Sequence, residues 1–222
     1  MPLEEMGSFF NSRVDIYEEH ILREIDGSVG YYVEIAKLIP ATRGLKLLDL
    51  GCGTGLELDE IFMVNPTVQV TGIDLAGKLL DKLRQKHVAR VNQLNLVLAD
   101  YFEYDFGENV FDVALSVQTL HHFTYEQKIG LYKRIYVSLK QDGFYIESDY
   151  NAPDQEFEDF HFAENKRIRD EQGINQGLYH YDTPCTVENQ ISLLKKAGFG
   201  SVEEVGQHGR HYGNSANLVA RK

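Results

Sequence analysis

The segment from Leu47 to Gly55, Leu-Leu-Asp-Leu-Gly-Cys-Gly-Thr-Gly, constrains the fold of this 222-residue chain more than any other. The short apolar run at Lys46–Leu50 has the composition of a strand and leads directly into three glycines, and Leu56 to Val64 then reads as a helix. Glycine allows the backbone to turn sharply and to approach a ligand closely. A strand, a glycine turn and a helix in this order predict a nucleotide-like ligand beyond the carboxyl ends of a parallel sheet.

The rest of the chain alternates apolar strand segments with helical segments, which predicts βαβ units. Further strands are predicted at 68–73, 94–98, 111–117, 144–148, 201–205 and 216–220. Helices are predicted at 56–64 and 78–88, after a capping box formed by Thr124 and Gln127, and from Thr186 to Ala197 before Gly198. The expected fold is therefore one α/β domain, Rossmann-like, with a mostly parallel sheet and helices on both faces.

Two regions flank or interrupt this alternation, which divides the predicted single domain 1–222 into a helical cap (1–43), a core (44–150), an insertion (151–183) and a carboxyl-terminal part (184–222). In the cap, residues at helical spacing predict one helix that ends at Asp26-Gly27, and a second that Ser28 begins and Pro40 stops. The insertion is acidic and aromatic and is expected to hold one helix and a loop. We expect it to form a lid on the carboxyl edge of the sheet.

Composition limits the partners and the location of the chain. Hydrophobic residues make up 43% of it, and the formal net charge is −12, which disfavours nucleic acid as a partner. No apolar run reaches the roughly 18 residues of a membrane span, and the first residues lack the features of a secretory signal. We therefore expect a cytoplasmic protein with reduced Cys52 and Cys185. Neither the cysteines nor the histidines show the spacing of a zinc site, so no metal is predicted.

Asp74 ends the second predicted strand, about twenty residues after the glycine turn. A carboxylate at this place can accept hydrogen bonds from the two hydroxyls of a ribose. The alternative role for Asp74 is a helix cap, but its combination with the glycine turn favours the ribose.

These segments together resemble the motifs of class I S-adenosylmethionine-dependent methyltransferases. Leu47–Gly55 is similar to their first motif, Thr71–Leu75 to the second, Leu98–Tyr101 to the third, and Phe111–Ser116 with Gln118–Phe123 to the fourth. The resemblance covers residues 45 to 150. It implies a seven-stranded sheet in the order 3-2-1-4-5-7-6 with an antiparallel last strand, S-adenosyl-L-methionine as cofactor and S-adenosyl-L-homocysteine as product.

The resemblance also implies which residues bind the cofactor. The methionine part is assigned to Asp49 and the glycine turn, the ribose to Asp74, the adenine to Leu75, Asp100 and Tyr101, and the methyl end to Gln118. The full expected set is Asp49, Gly51, Cys52, Gly53, Gly55, Asp74, Leu75, Asp100, Tyr101, Ser116 and Gln118. A nicotinamide cofactor is disfavoured for two reasons. The turn lacks the third glycine that the nicotinamide-binding pattern places three residues after the second. In addition, Asp49, Glu57 and Asp59 suit a cationic sulfonium better than a pyrophosphate.

His121 and His122 follow the fourth strand, where the resemblance places the active site. A histidine there can act as a general base near neutral pH, and His122 is the narrower choice; the alternative is that one histidine caps or packs under the next helix. Glu147 and Asp149 at the end of the fifth strand are secondary candidates for binding a cationic acceptor.

In the amino-terminal cap, Arg13, Tyr17 and Tyr32 are candidates to face the pocket. The expected function is methyl transfer by in-line displacement to a small molecule, and the form Thr119-Leu-His-His-Phe123 resembles enzymes of this type. Two alternatives remain: a relative of the tRNA-modification enzymes that make a carboxylated cofactor, which Ser28–Tyr32 faintly resembles, and a binding module without turnover. The sequence leaves a monomer or a homodimer open.

Overall fold

A computed structural model of the chain describes residues 2–24, 28–208 and 214–222. Its sheet has seven strands in the order β3-β2-β1-β4-β5-β7-β6. The strands are β1 (Lys46–Leu50), β2 (Gln69–Asp74), β3 (Leu94–Leu98), β4 (Phe111–Val117), β5 (Leu139–Asn151), β6 (Ser201–His208) and β7 (Asn214–Arg221). Strands β1 to β5 pair in parallel, and β7 is antiparallel to both β5 and β6. This confirms the predicted fold class and strand order.

Helices cover both faces of the sheet. They are α1 (Met6–Ser12), α2 (Tyr17–Glu24), α3 (Ser28–Lys37), α4 (Leu56–Val64), α5 (Gly77–Lys86), α6 (Tyr125–Ser138), α7 (Gln155–Glu171) and α8 (Val187–Ala197), with a short 3-10 helix at Val88–Gln93. Because side chains alternate along a strand, Leu47 packs with the cluster under α3 and α4, while Leu48 and Leu50 pack with the cluster under α6 and α8. All three are fully buried, as expected for a parallel sheet covered on both sides.

The two helices on the second face have the predicted ends. Thr124 accepts a hydrogen bond from the Gln127 backbone, and the Gln127 side chain bonds back to the Thr124 backbone, so the capping box of α6 is confirmed. Thr186 caps α8 by accepting a hydrogen bond from the Asn189 N–H, and Gly198 ends that helix with a left-handed φ of 116°. A left-handed residue after the last turn is the usual place of glycine.

The amino-terminal cap differs from the prediction. Helix α1 was not predicted; it begins after Glu5, whose carboxylate accepts the backbone N–H groups of Gly7 and Ser8. Glutamate is not among the usual capping residues, so the sequence carried no signal for this start. The predicted first helix begins only at Tyr17, and its predicted end at Asp26-Gly27 lies outside the described residues.

Strand β5 is longer than predicted because it starts before the expected turn. Leu139 pairs with Phe111, the register shifts, and regular pairing resumes between Phe144 and Val113. The expected turn at Asp142-Gly143 is therefore an irregularity within the strand.

The insertion contains one helix, α7, as expected, and Asp154 caps it. The chain that follows pairs with the amino-terminal cap: Glu5 and Tyr179 form an antiparallel bridge, and the Met6 N–H donates to the Leu178 carbonyl at 2.9 Å. The cap and the insertion thus meet above the carboxyl edge of the sheet. No helix in the described part of the chain is long and apolar enough to cross a membrane.

We predict that Thr124→Ala lowers the free energy of unfolding by about 1 kcal/mol, because one half of the capping box is lost. Urea unfolding followed by circular dichroism measures this change. Thr124→Ser keeps the hydroxyl and should stay close to the wild type; an equal loss in both variants would contradict the capping role.

Candidate functional site

The glycine turn after β1 has a backbone that only glycine adopts without strain. Gly51, Gly53 and Gly55 have φ values of 69°, 47° and 69°, in the left-handed region. A Cβ atom on Gly51 would lie 2.3 Å from Oγ1 of Thr119. The Gly51 N–H donates to the Ile73 carbonyl at 2.8 Å, so the turn is fixed against the end of β2.

Asp74, at the end of β2, accepts two backbone hydrogen bonds. Its Oδ2 accepts the Gly53 N–H at 2.9 Å, and its Oδ1 accepts the Ala76 N–H at 2.7 Å. Burial raises the pKa of Asp74, while these backbone bonds lower it. Each carboxylate oxygen keeps a free lone pair, so the capping and ribose-binding roles weighed from the sequence are compatible.

Two further carboxyls, Asp49 of β1 and Glu57 of α4, are buried beside the turn. They are 1% and 6% exposed, and Asp49 Oδ2 and Glu57 Oε1 have no hydrogen-bond partner among the described residues. Burial raises the pKa of Glu57 to about 7. Burial, with the adjacent Glu57, also holds the pKa of Asp49 well above its ordinary range. A cation at this place would compensate both groups.

Asp59, grouped with them on sequence grounds, lies elsewhere. It pairs with Lys86 at 2.7 Å and with His87 at 3.0 Å near the surface. Asp59 is therefore not a member of the buried pair, although its charge contributes to raising the pKa of Glu57. The reason is the helical spacing, which turns Glu57 inward and Asp59 toward α5.

The residues expected around adenine lie at the ends of β2 and β3. Asp100 is half-buried and its Oδ1 accepts the Phe102 N–H at 2.8 Å. Tyr101 is buried, and its hydroxyl lies 3.1 Å from Oγ1 of Thr119, the residue that packs against Gly51. Leu75 is half-buried next to them.

Gln118 follows β4 with a φ of 50°, a backbone conformation that is uncommon for a residue other than glycine and frequent at functional sites. Its N–H donates to the Ser148 carbonyl at 2.8 Å, and its side-chain amide donates to the Tyr31 hydroxyl at 3.1 Å. These bonds hold the amide at the carboxyl edge. Ser116 is fully buried and its hydroxyl bonds to Tyr145 at 2.6 Å, so its side chain lies within the core rather than at this edge.

The amino-terminal cap covers the glycine turn through one of the three expected residues. A Cβ atom on Gly53 would lie 3.4 Å from the Tyr17 hydroxyl, and burial together with Asp74 and Glu57 raises the Tyr17 pKa. Tyr32 packs in the core with α3, and Arg13 pairs with Glu4 at 2.9 Å. Of the three expected residues, Tyr17 is thus the one whose hydroxyl lies over the glycine turn.

His121, after β4, is held by Asp149 of β5. Nδ1 of His121 lies 2.5 Å from Asp149 Oδ1, and the Leu120 N–H donates to Asp149 Oδ2 at 2.8 Å. Burial lowers the pKa of His121, but the adjacent Asp149 outweighs it and the net shift is upward. The pKa of Asp149 is lowered because the effect of His121 exceeds that of burial.

His122 lies beside His121 and meets the end of the insertion. Its Nδ1 is 3.1 Å from Asp182 Oδ1 and 3.3 Å from the Tyr181 carbonyl. Burial and the adjacent His121 lower the pKa of His122. Asp182 and the neighbouring His180 were not among the sequence candidates, because nothing in the spacing links the insertion to the end of β4.

Glu147, a secondary candidate, lies deeper than Asp149. It is 1% exposed and accepts a hydrogen bond from the Tyr132 hydroxyl of α6 at 3.0 Å. Glu147 is therefore part of the layer between the sheet and α6 rather than of the carboxyl edge.

Comparison with known proteins agrees with this site. A family model described as a methyltransferase domain matches residues 47–143. A carboxy-S-adenosyl-L-methionine synthase of Campylobacter fetus subsp. fetus is 26% identical over 100% of this chain and 97% of that protein. A cycloartenol-C-24-methyltransferase of Arabidopsis thaliana is 32% identical over 72% of this chain and 46% of that protein.

Solved structures show the same fold. A putative O-methyltransferase from Nostoc punctiforme has a TM-score of 0.71 and 20% identity, over 100% of this chain and 63% of its own. Phosphoethanolamine N-methyltransferase 2 of Haemonchus contortus, solved with phosphomonomethylethanolamine and S-adenosylhomocysteine, has a TM-score of 0.71 and 17% identity, over 96% of this chain and 58% of its own. The motifs, the strand order and the relatives agree: residues 47–143 match a methyltransferase domain, and the whole chain has the fold and the relatives of a class I, S-adenosylmethionine-dependent methyltransferase.

Proposed function

We propose that this protein transfers the methyl group of S-adenosylmethionine to a small molecule bound beside His121 and His122. The observation that carries the proposal is the buried pair Asp49 and Glu57 next to the glycine turn, without a hydrogen bond from a cationic side chain in the described part of the chain. A positively charged ligand compensates these carboxyls, whereas a pyrophosphate would be repelled by them.

The cofactor would lie along the ends of β1, β2 and β3. Its amino group and sulfonium would face Asp49 and the glycine turn, its ribose hydroxyls would bond to Asp74, and its adenine would lie between Leu75 and Tyr101, next to Asp100. Tyr17 would cover the methionine part from the amino-terminal cap. These placements follow the geometry of the turn and the family's binding pattern.

The acceptor would lie at the ends of β4 and β5, between the histidines and the insertion. The acceptor atom attacks the methyl carbon as the carbon–sulfur bond breaks, and the electron pair of that bond stays on sulfur, which becomes neutral S-adenosylhomocysteine. Because the sulfonium already activates the methyl group, the protein chiefly holds the two reactants in line. We assign the contact with the acceptor to His121 and His122.

The relative from Campylobacter fetus suggests a second candidate, synthesis of a carboxylated cofactor. The added carboxylate would need a cation near the methyl end. Among the described residues, Lys128 is directed to Cys185 and Gln190, and Arg13 is paired with Glu4. We favour plain methyl transfer, as the name of the Arabidopsis thaliana relative suggests, and mass spectrometry of the cofactor separates the two candidates. We place the protein in the cytoplasm, where the buried Cys52 and Cys185, which form no disulfide, would stay reduced.

Two measurements test this function. Mass spectrometry of the cofactor recovered from the purified protein should find S-adenosylmethionine or S-adenosylhomocysteine; a species heavier by one CO2 would support the second candidate instead. Transfer of labelled methyl to a panel of small amines and hydroxyl compounds should then fall by about 100-fold in kcat/KM in His121→Ala. His87→Ala changes a histidine that follows α5 rather than β4, and it should retain activity. If no acceptor in the panel is methylated, a binding module without turnover would be favoured.

We predict that Gly51→Ala abolishes binding of S-adenosylmethionine measured by calorimetry, since the new methyl group meets Thr119 and the turn must shift. Gly44→Ala is the matched control. Gly44 has the same φ of 69° and nothing within 4 Å of its Cβ position. It should lose about 1 kcal/mol of stability through backbone strain alone and keep its affinity. Equal affinities in both variants would contradict the role of the turn.

We predict that the protein prefers S-adenosylmethionine over S-adenosylhomocysteine more strongly as the pH rises through about 7. The quantity to follow is the ratio of the affinity for S-adenosylmethionine to the affinity for S-adenosylhomocysteine. Ionised Glu57 attracts the sulfonium but not the neutral sulfur, and burial raises the pKa of Glu57 to about 7. The ratio should change by up to about tenfold per pH unit below that pKa and level off above it. Calorimetry at a series of pH values measures it.

Glu57→Gln should flatten this pH profile, because the group can no longer ionise. Asp59→Asn removes a neighbouring charge that contributes to raising the Glu57 pKa, so it should keep the pH dependence and move its midpoint to lower pH. A profile that is unchanged by Glu57→Gln would show that the acidic pair does not face the sulfonium.

A further inference from the structure

We propose that His121, His122 and Asp182 form a binding site for one divalent transition-metal ion, with Zn²⁺ the best match. The three residues come from two separate parts of the chain, the end of β4 and the end of the insertion, and the fold brings one donor atom of each within 4.8 Å of the others. The sequence spacing predicted no metal, because it could not show this approach.

The donor atoms have the separations that a small cation requires. Nδ1 of His122 is 3.1 Å from Asp182 Oδ1, and Nε2 of His121 is 3.7 Å from the same oxygen. Ligand atoms about 2.1 Å from a tetrahedral zinc ion lie about 3.4 Å from one another. The two separations each differ from this value by about 0.3 Å, and one donor atom of each residue lies within 4.8 Å of the others, so small side-chain movements bring the three around one ion.

The orientation of His121 is set as in known metal sites. Asp149 holds its Nδ1 at 2.5 Å, which leaves Nε2 directed toward Asp182. A ligating histidine almost always bonds through its second nitrogen to a carboxylate or carbonyl that fixes the ring. For His122 the donor is Nδ1: it faces Asp182 Oδ1 from a buried ring, with 3% of the side chain exposed, and on binding an ion it would give up its contact with the Tyr181 carbonyl.

The charges of the cluster also favour a cation. Asp149 and Asp182 form ion pairs with His121 and His122, and neither has an ion pair with lysine or arginine in the described part of the chain. Oδ1 of Asp182 is buried without a hydrogen bond of acceptable geometry. With an ion bound, both imidazoles would be neutral, so Asp149 and Asp182 would be the negative groups around it; the buried Lys128 offsets part of this charge at Asp149.

The chemistry of the donors selects the metal class. Two imidazole nitrogens and one carboxylate oxygen suit zinc and its first-row neighbours, whereas calcium and magnesium prefer oxygen ligands alone. Three protein ligands leave a position open, the arrangement of catalytic rather than structural zinc sites.

The metal site deepens the proposed function. Metal binding itself does not depend on that function; only the role of the ion in methyl transfer rests on it. At the open position a hydroxyl acceptor would bind the ion and release its proton to solvent more readily, as metal-bound water does, and the oxyanion formed would then take the methyl group. The ion and a proton compete for Nε2 of His121, so the metal would replace a histidine base. The implied substrate class is an oxygen acceptor able to bind a metal.

The test measures metal binding directly in the full chain, stripped with a chelator and without cofactor. Titration with Co²⁺, followed by its visible absorption, and with Zn²⁺, followed by calorimetry, should each show one equivalent bound per chain. Asp149→Asn should weaken binding by about 10- to 100-fold. His122→Ala and Asp182→Asn should weaken it at least as much, because each removes a ligand.

His87→Ala is the matched control, since His87 also pairs with an aspartate, Asp59, but lies near α5. It should bind Co²⁺ with the wild-type affinity and spectrum. The inference is overturned if the wild-type chain binds no stoichiometric metal, or if His122→Ala and Asp182→Asn bind it unchanged. Retained affinity for S-adenosylhomocysteine shows that each variant is folded.

The two proposals fail separately. Methyl transfer that persists in the stripped protein, with no metal bound on titration, would overturn the metal site and leave the methyltransferase function intact. Stoichiometric metal binding without methyl transfer to any acceptor would overturn the function and leave the site.

Discussion

The burial of three carboxyls under the glycine turn is the constraint on which the site depends. Asp49, Glu57 and Asp74 are each at most 9% exposed, and their pKa values are raised chiefly by burial. An acid whose pKa is higher in the folded state is stabilised there in its protonated form. The folded state therefore loses stability as the pH rises from the unfolded pKa of about 4 toward the folded one. At neutral pH this stability is recovered when a cation binds, so ligand affinity and fold stability are linked through the same groups.

The order of the strands separates the two halves of the site. Strand order reverses between β1 and β4, and in open parallel sheets ligands bind at that reversal. Asp49 lies on β1, Asp74 on β2, and the glycine turn with Glu57 at the start of α4, while His121 follows β4 and Asp149 lies near the end of β5. The boundary between them is Gln118, whose left-handed backbone turns the chain at the end of β4.

The sequence predicted the parts of the site that follow directly from a strand. Asp49, Asp74 and Asp100 were placed correctly near strand ends, because apolar strands and glycine turns can be recognised from the local sequence. The sequence did not predict the features that depend on contacts between residues far apart in the chain. Nothing local indicates that Glu5 caps a helix, that β5 starts at Leu139, or that Asp182 meets the histidines. Ser116 shows the same limit within a motif, since its partner Tyr145 lies on the adjacent strand and draws the side chain into the core.

Helix α1 contacts both halves of the site. Asn11 accepts the Lys78 N–H at the start of α5, which lies on the cofactor side. Glu5 bridges to Tyr179, and Phe9 stacks on His180 with ring centroids 3.6 Å apart, on the acceptor side. A displacement of α1 that uncovers one half therefore loosens the other. In kinetic terms, release of the spent cofactor and exchange of the acceptor share one opening step, so turnover would follow the rate at which this short helix leaves and returns.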